Sequence, residues 1–197
     1  MTDQPITVGR VLRSSTAGFS IGCRVLHEDV PEFGAFVKVA QGNTQITGLI
    51  YDVQFVDDPL VRQIITADSM SEELRRDQAQ RLAPIEISVM VVGFAREGQV
   101  YQHLPPQPPE TLDQIVTCTP GEVVAFTREF TFLRTVLNAK EAPSDELAAA
   151  CLRTAAAARP EAERRLFLLQ AGRELARLLA GDPVRLEGIL RRIKPQQ

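Results

Sequence analysis

Three short runs of sequence decide the fold: Val8-Gly9-Arg10-Val11, Gly34-Ala35-Phe36-Val37-Lys38-Val39 and Ile46-Thr47-Gly48-Leu49-Ile50-Tyr51-Asp52-Val53. Each is rich in β-branched or apolar residues and is bounded by turn residues, which is typical of strands. We predict strands near residues 7–14, 19–26, 35–40 and 45–56. In the third strand one face should be core, whereas the fourth is apolar on both faces and should be either central in the sheet or covered from outside the barrel. Their order and spacing predict a small β-barrel.

The middle of the chain is predicted to contain a helix, a fifth strand and a proline-rich segment. Ser69-Met70-Ser71-Glu72 is a capping box, which predicts a polar helix over residues 69–82 inserted into the barrel. Alternating apolar residues then predict a fifth strand over residues 85–94. Four prolines between Pro105 and Pro109 predict an extended strap that crosses the surface or links two parts of the fold.

Everything after the proline strap is predicted to be helical. Thr119-Pro120-Gly121-Glu122 is a second capping box, and it opens a helix or helix pair that extends to about Asn138. Further helices are predicted over residues 144–158, 160–180 and 183–193. We therefore predict an α+β fold with an N-terminal barrel over residues 1–118 and an all-helical C-terminal domain over residues 119–197.

The helix predicted over residues 160–180 carries a wide apolar stripe. Leucines and alanines recur at helical spacing, and Leu166, Phe167 and Leu169 widen the stripe beyond one face. We expect this helix to be covered on two sides, by the other helices and by either the barrel or a second subunit. Packing against the other helices is the favoured explanation, and a seam between two subunits is the alternative.

The composition is that of a folded globular protein, with 44% hydrophobic and 24% charged residues. No run reaches the roughly 18 apolar residues that a membrane-spanning helix needs. We expect a cytoplasmic protein without a membrane partner. Cys23, Cys118 and Cys151 are odd in number and widely separated, so we predict buried free thiols instead of disulfides or a zinc site.

The net charge of −3 is unevenly distributed. Residues 151–197 carry ten basic and five acidic side chains, whereas residues 1–150 carry 12 basic and 20 acidic ones. A basic region attracts nucleic acid, an acidic membrane surface or an acidic protein partner, including another copy of the chain. The candidate contact residues for nucleic acid or a partner are Arg173, Arg177, Arg185, Arg191, Arg192 and Lys194. No aromatic residues alternate with them to form a stacking platform for single strands.

The sequence offers few groups for catalysis. It lacks the GxxxxGK[ST] phosphate loop, and its only histidines are His27 and His103. On an extended strand Cys23 and His27 would stand about 13 Å apart, which is too far for a nucleophile and its base. The acid pairs Asp57-Asp58 and Glu72-Glu73 are better explained as turn and helix-cap residues than as metal ligands. We predict no enzymatic activity, no cofactor and no metal site.

The runs at residues 8–11, 36–39 and 46–50 resemble the HAS barrel, the β-barrel shared by HerA-type DNA-processing ATPases and the α and β subunits of ATP synthases. Val91-Val92-Gly93-Phe94 and the proline run are similar to the last strands and the exit segment of that barrel. The whole chain also resembles a group of stand-alone bacterial proteins, notably from cyanobacteria, that lack the ATPase core. In these the strings Tyr101-Gln102-His103-Leu104-Pro105-Pro106 and Phe132-Leu133-Arg134-Thr135 recur.

This resemblance implies a role in assembly. In motor proteins the barrel helps to form a ring and can dock a partner nuclease, whereas here helices replace the ATPase core. We expect a non-catalytic interaction or assembly module, such as an accessory of a HerA-like ATPase or another DNA-processing complex. Its expected partner is an ATPase or another copy of the chain. The alternative is a nucleic-acid-binding protein that uses its basic C-terminal helices.

Overall fold

The computed structural model describes residues 4–25, 31–55 and 83–193. Within these ranges the strands are β1 (Thr7–Ser14), β2 (Gly18–Val25), β3 (Phe36–Gln41), β4 (Thr44–Phe55), β5 (Ala83–Arg96), β6 (Gln99–Tyr101) and β7 (Gln114–Thr117). The helices are α1 (Pro120–Phe126), α2 (Phe132–Leu137), α3 (Ser144–Ala157), α4 (Glu161–Leu178) and α5 (Pro183–Ile193). The helix predicted over residues 69–82 lies outside the described residues.

Six of the described strands close into an antiparallel barrel. Their order is β2-β1-β7-β3-β4-β5, and β5 pairs back onto β2 along the whole of β2. β4 and β5 form the longest pairing, which is interrupted by two irregularities that let the strands bend around the barrel. The short β6 pairs with the far end of β5. An α+β fold that contains a β-barrel is thereby confirmed.

The last strand of the barrel, β7, lies after the proline run. It pairs with β1 on one side and with β3 on the other, so it fills the gap that closes the barrel. The prediction that everything after the strap is helical is therefore wrong, and the proline run precedes the final strand instead of leading out of the barrel. β7 is only four residues long, and its β-branched run Ile115-Val116-Thr117 is the part of the sequence that favours a strand.

The barrel interior is a packed apolar core. Side chains from β1, β2, β3, β4, β5 and β7 form one buried cluster: Val8, Val11, Phe19, Ile21, Val37, Val39, Ile46, Ile50, Ile85, Ile87, Val89, Val91, Phe94 and Ile115. They alternate with outward-facing residues because successive side chains of a strand point to opposite faces. In a barrel of this size such side chains fill the interior.

One outer face of the barrel is also buried. Phe36, Leu49, Met90 and Val92 point outward from β3, β4 and β5 and join a second cluster formed mainly by the helices. Both interpretations of the fourth strand hold, because β4 lies between β3 and β5 and its outer face is covered by the helices. The third strand differs from its prediction of a single core face, because Phe36 on the outer face is 2% exposed. The helices therefore form a layer on this side of the barrel.

The helices after Thr119 lie where the capping signals predict them. The Thr119 hydroxyl accepts from the Glu122 amide at 3.3 Å, and the Glu122 carboxylate accepts from the Thr119 amide at 2.8 Å. This capping box satisfies two amides that the first helical turn leaves without partners. Among the described helices, none combines the length and the apolar character that crossing a bilayer requires.

The turn before β3 lies close to the backbone of α3. Gly34 has φ of +82°, and a Cβ atom there would lie 2.5 Å from the Ala150 Cβ atom and 2.9 Å from the Ala150 carbonyl carbon. The chain can approach α3 this closely only because Gly34 has no side chain and Ala150 has a small one. The helical layer thus packs directly against the barrel.

We predict that Gly34→Ala destabilises the protein more than Gly42→Ala. Gly42 also has positive φ, at +56°, but a Cβ atom there would meet nothing within 4 Å. Gly42→Ala should lower the free energy of unfolding by about 1 kcal/mol, the cost of the backbone conformation. Gly34→Ala should lower it by about 3 kcal/mol, since α3 must also shift. Urea unfolding followed by circular dichroism measures both, and equal losses would contradict direct seating of α3.

Candidate interaction surfaces

Arg185, one of the predicted contact residues, has a structural role. Its guanidinium donates to the Asp145 carboxylate at 2.6 Å, to the Leu137 carbonyl at 2.8 Å and to the Ser144 hydroxyl at 3.0 Å. These bonds tie α5 to the end of α2 and the start of α3. The side chain is half-buried, and its charge is already matched by a carboxylate.

Three more of the predicted contact arginines are paired with carboxylates. Arg177 makes a bidentate contact with Glu174, which lowers the pKa of that carboxyl. Arg191 pairs with Glu187 one turn earlier in α5. Arg192 binds Glu146 of α3 and the carbonyl of Gly188. A phosphate would have to displace these partners, so the structure does not present these residues as a row of free cations.

Arg173 differs from these four arginines. It is exposed on α4 and makes no hydrogen bond or ion pair with the rest of the described chain. Lys194 lies outside the described residues. The predicted set is therefore not assembled into one site, and Arg173 is the member of it that stays free within the described residues.

His103 packs edge-on against the rings of Phe94 and Tyr101, which stack on each other. Its ring centre lies 5.2 Å from that of Phe94 and 5.7 Å from that of Tyr101, and its Nδ1 lies 3.1 Å from the Leu104 carbonyl oxygen. His27 and both acid pairs considered as metal ligands lie outside the described residues. Within the described ranges no three His, Cys, Asp or Glu side chains are placed to hold a metal ion.

The three thiols are free, as predicted, but they differ in burial. Cys151 is fully buried, and burial raises its pKa to about 12. Cys118 is partly exposed, yet burial together with the nearby Glu122 carboxylate raises its pKa to about 12 as well. Burial also raises the pKa of Cys23, which is partly exposed. At neutral pH these thiols stay protonated, which makes them poor nucleophiles.

The proline run crosses the barrel as a strap, as predicted. The Pro108 carbonyl accepts from the Gln41 side chain at 2.8 Å, and the Pro109 carbonyl accepts from the Ser14 hydroxyl at 2.7 Å. An open cleft of about 520 Å³ lies between the strap and the turns that follow β3 and β5. A second cleft, of about 390 Å³, lies between the β1-β2 hairpin and the loop before α3. Neither of these clefts is lined by His103 or Cys118.

The strings at residues 101–106 and 132–135 meet through Gln102. Its side-chain oxygen accepts from the Phe132 amide at 3.0 Å, and its nitrogen donates to the carbonyls of Phe126 and Glu129 at 2.7 and 2.9 Å. The Phe132 ring packs against Phe36 of the barrel and Phe126 of α1. These contacts give both strings a structural role, because they hold the helical layer on the barrel.

The outer face of α4 is an exposed surface of the helical layer that carries two leucines. It consists of five exposed residues: Ala162, Leu166, Leu169, Arg173 and Ala176. Leu166 is 59% exposed and Leu169 is 52% exposed, whereas Phe167 and Leu175 on the opposite side are buried. The expected cover on a second side of this helix is not found among residues 4–25, 31–55 and 83–193, where the other helices pack against one side of it.

No family model matches this chain, and no curated protein matches it either. The resemblance to the HAS barrel therefore stays a prediction that rests on the short runs named above.

A charge pair joins the barrel to the helical layer beside the α1 cap. Lys38 of β3 donates to the Glu122 carboxylate, which also accepts from the Thr119 amide. Burial alone would raise the pKa of Glu122, but the bonds from Lys38 and Thr119 outweigh it and hold that pKa below the usual 4.5. The ionised carboxylate is therefore favoured in the folded state.

We predict that Glu122→Gln removes a pH-dependent part of the stability. A carboxyl whose pKa is lowered by folding stabilises the fold above its unfolded pKa, and this stability is lost as the pH falls through the lowered folded value. The difference in unfolding free energy between wild type and Glu122→Gln should thus have its largest value at pH 7 and decrease below about pH 4.5.

Urea unfolding between pH 7 and pH 3 measures that difference. The matched control is the same substitution in a Lys38→Gln background, where the pH-dependent part should be smaller because the barrel-side donor is missing. A difference that stays constant from pH 7 to pH 3 would contradict the assignment.

Proposed function

We propose that this protein is a non-catalytic interaction module that docks a protein partner through the outer face of α4. The observation that carries the proposal is the pair Leu166 and Leu169, both more than half exposed on the same face of one helix. Single exposed leucines are common on protein surfaces. Two of them on one face, flanked by charged residues, are typical of a contact site for another protein.

The buried side of α4 supports this proposal because it holds the helix rigidly. The Phe167 ring packs 5.5 Å from the Phe130 ring, and the Arg159 guanidinium lies 3.7 Å from the Phe167 ring centre. Arg159 also donates to the Ala155 carbonyl at 2.6 Å and to the Thr127 hydroxyl at 2.8 Å. A surface that is already ordered loses little conformational entropy when a partner binds.

The resemblance to the HAS barrel extends the proposal to domain organisation and partner class. The proposed arrangement is an N-terminal barrel domain over residues 1–118 followed by an all-helical domain over residues 119–197. It is supported by strands that end at Thr117 and helices that begin at Pro120. The proposed partners are a HerA-like ATPase or another DNA-processing complex, or another copy of this chain, in the cytoplasm.

Nucleic-acid binding has less support than protein docking. Phosphate contacts require free cations, and Arg177, Arg185, Arg191 and Arg192 are engaged with carboxylates of the same chain. We therefore keep a single proposed function.

The test is affinity purification of the tagged full chain after cross-linking in its native cells. Wild type should recover a cross-linked partner, which is either another protein or another copy of the chain. The double variant Leu166→Asp, Leu169→Asp should recover at least about tenfold less of that partner. The matched control is Val184→Asp, which changes an apolar residue that is 79% exposed on α5. The control should recover as much as wild type. Equal recovery by all three proteins would contradict docking through α4.

A further inference from the structure

We infer that the partner of the outer face of α4 is a second copy of this chain, bound with the two α4 helices antiparallel. This inference deepens the proposed interaction function and rests on it. It follows from the spacing of the exposed residues on α4 and from the opposite charges at the two ends of that face.

The spacing is that of a two-helix seam. From Ala162 to Ala176 the five residues of the outer face are separated alternately by four and three positions. This is the repeat by which two helices pack side by side with side chains interlocked. Leu166 and Leu169 would form the centre of the seam, and the alanines would allow the backbones to approach at its ends.

The charges at the ends of the face are complementary to each other. Glu161 and Glu163 flank Ala162 in the first turn of α4, and Arg173 lies about 16 Å further along the helix. Within the described residues no side-chain hydrogen bond or ion pair engages Glu161 or Arg173. The Glu163 carboxylate forms no side-chain hydrogen bond either, but it lies near the Arg159 guanidinium and interacts with that charge.

An antiparallel arrangement brings these charges together. If Leu166 opposes Leu169 of the second copy, the same register places Arg173 opposite Ala162 of that copy, between its Glu161 and Glu163. Two-fold symmetry repeats this contact, so each dimer gains two such sites. The antiparallel arrangement also sets the two helix dipoles in opposite directions, which is favourable.

A parallel arrangement would lose these contacts. It would place Arg173 against Arg173 of the second copy and the two acidic first turns against each other, and like charges at such distances repel. The charge pattern therefore selects the antiparallel dimer. Its seam spans about 21 Å of one helix per copy, which is smaller than a standard interface, so the dimer should be weak and reversible.

The test is sedimentation equilibrium of the full chain over about a hundredfold range of concentration, with two charge-reversed variants. Arg173→Glu places acid against acid in the antiparallel dimer, and the double variant Glu161→Lys, Glu163→Lys places base against base. Each variant alone should dimerise at least about tenfold more weakly than wild type. An equimolar mixture of the two should recover the wild-type affinity to within about threefold, because both contacts are then complementary.

Arg128→Glu is the matched control, since it makes the same charge change at an exposed arginine outside α4. It should dimerise like wild type, and circular dichroism melts should show that all variants are folded. A wild type that stays monomeric over the whole range would overturn the inference. So would dimers that Arg173→Glu leaves unchanged, or a mixture that binds no better than its components.

Failure of this inference can be separated from failure of the proposed function. If wild type is monomeric but cross-links to a different protein in a manner that Leu166→Asp, Leu169→Asp abolishes, self-association is wrong and docking through α4 stands. If neither association depends on α4, both are wrong.

Discussion

The burial of the barrel's outer face under the helices is the interaction on which the rest of the structure depends. Four side chains of the barrel point away from its core and are buried because the helices lie over them: Phe36, Leu49, Met90 and Val92. Burying an apolar side chain of this size contributes about 1.5 to 3 kcal/mol. A barrel without the helices would expose these four residues side by side, which is a liability for aggregation. Barrel and helices therefore stabilise each other.

This interaction also determines which surface remains open. α3 is the inner helix of the layer, with most of its side chains buried, and it lies close enough to β3 to require Gly34. α4 packs on the outside of α3 and uses Phe167, Ala171 and Leu175 to do so. Its other side then faces away from the core. The exposed leucines of α4 are thus a consequence of how the layer is stacked on the barrel.

Local patterns predicted most of the elements of this fold. β1 has the predicted limits, and the capping box at Thr119 begins a helix as expected. β7 was the exception, because four residues are too few to show the alternating pattern of a strand. It is a strand because it pairs with β1 and β3. The closure of the barrel depends on that long-range pairing, which no local signal supplies.

The candidate site was less predictable than the fold. The sequence shows an excess of arginine after residue 150, but it does not show which carboxylates those arginines meet. Arg185 binds Asp145, which lies 40 residues earlier in the sequence, and Arg192 binds Glu146, which lies 46 residues earlier. The stripe on α4 was visible as an apolar excess, whereas the side left uncovered depends on tertiary packing.

Hydrogen exchange of the native protein, followed by mass spectrometry of its peptides, tests most directly whether barrel and helices form one mutually stabilised unit. The slowest amides of β4 and of α3 should exchange with the same free energy, within about 1 kcal/mol, because both are released by the same global opening. If the α3 amides instead exchange several kcal/mol more easily than those of β4, the helices open independently of the barrel and the account is wrong.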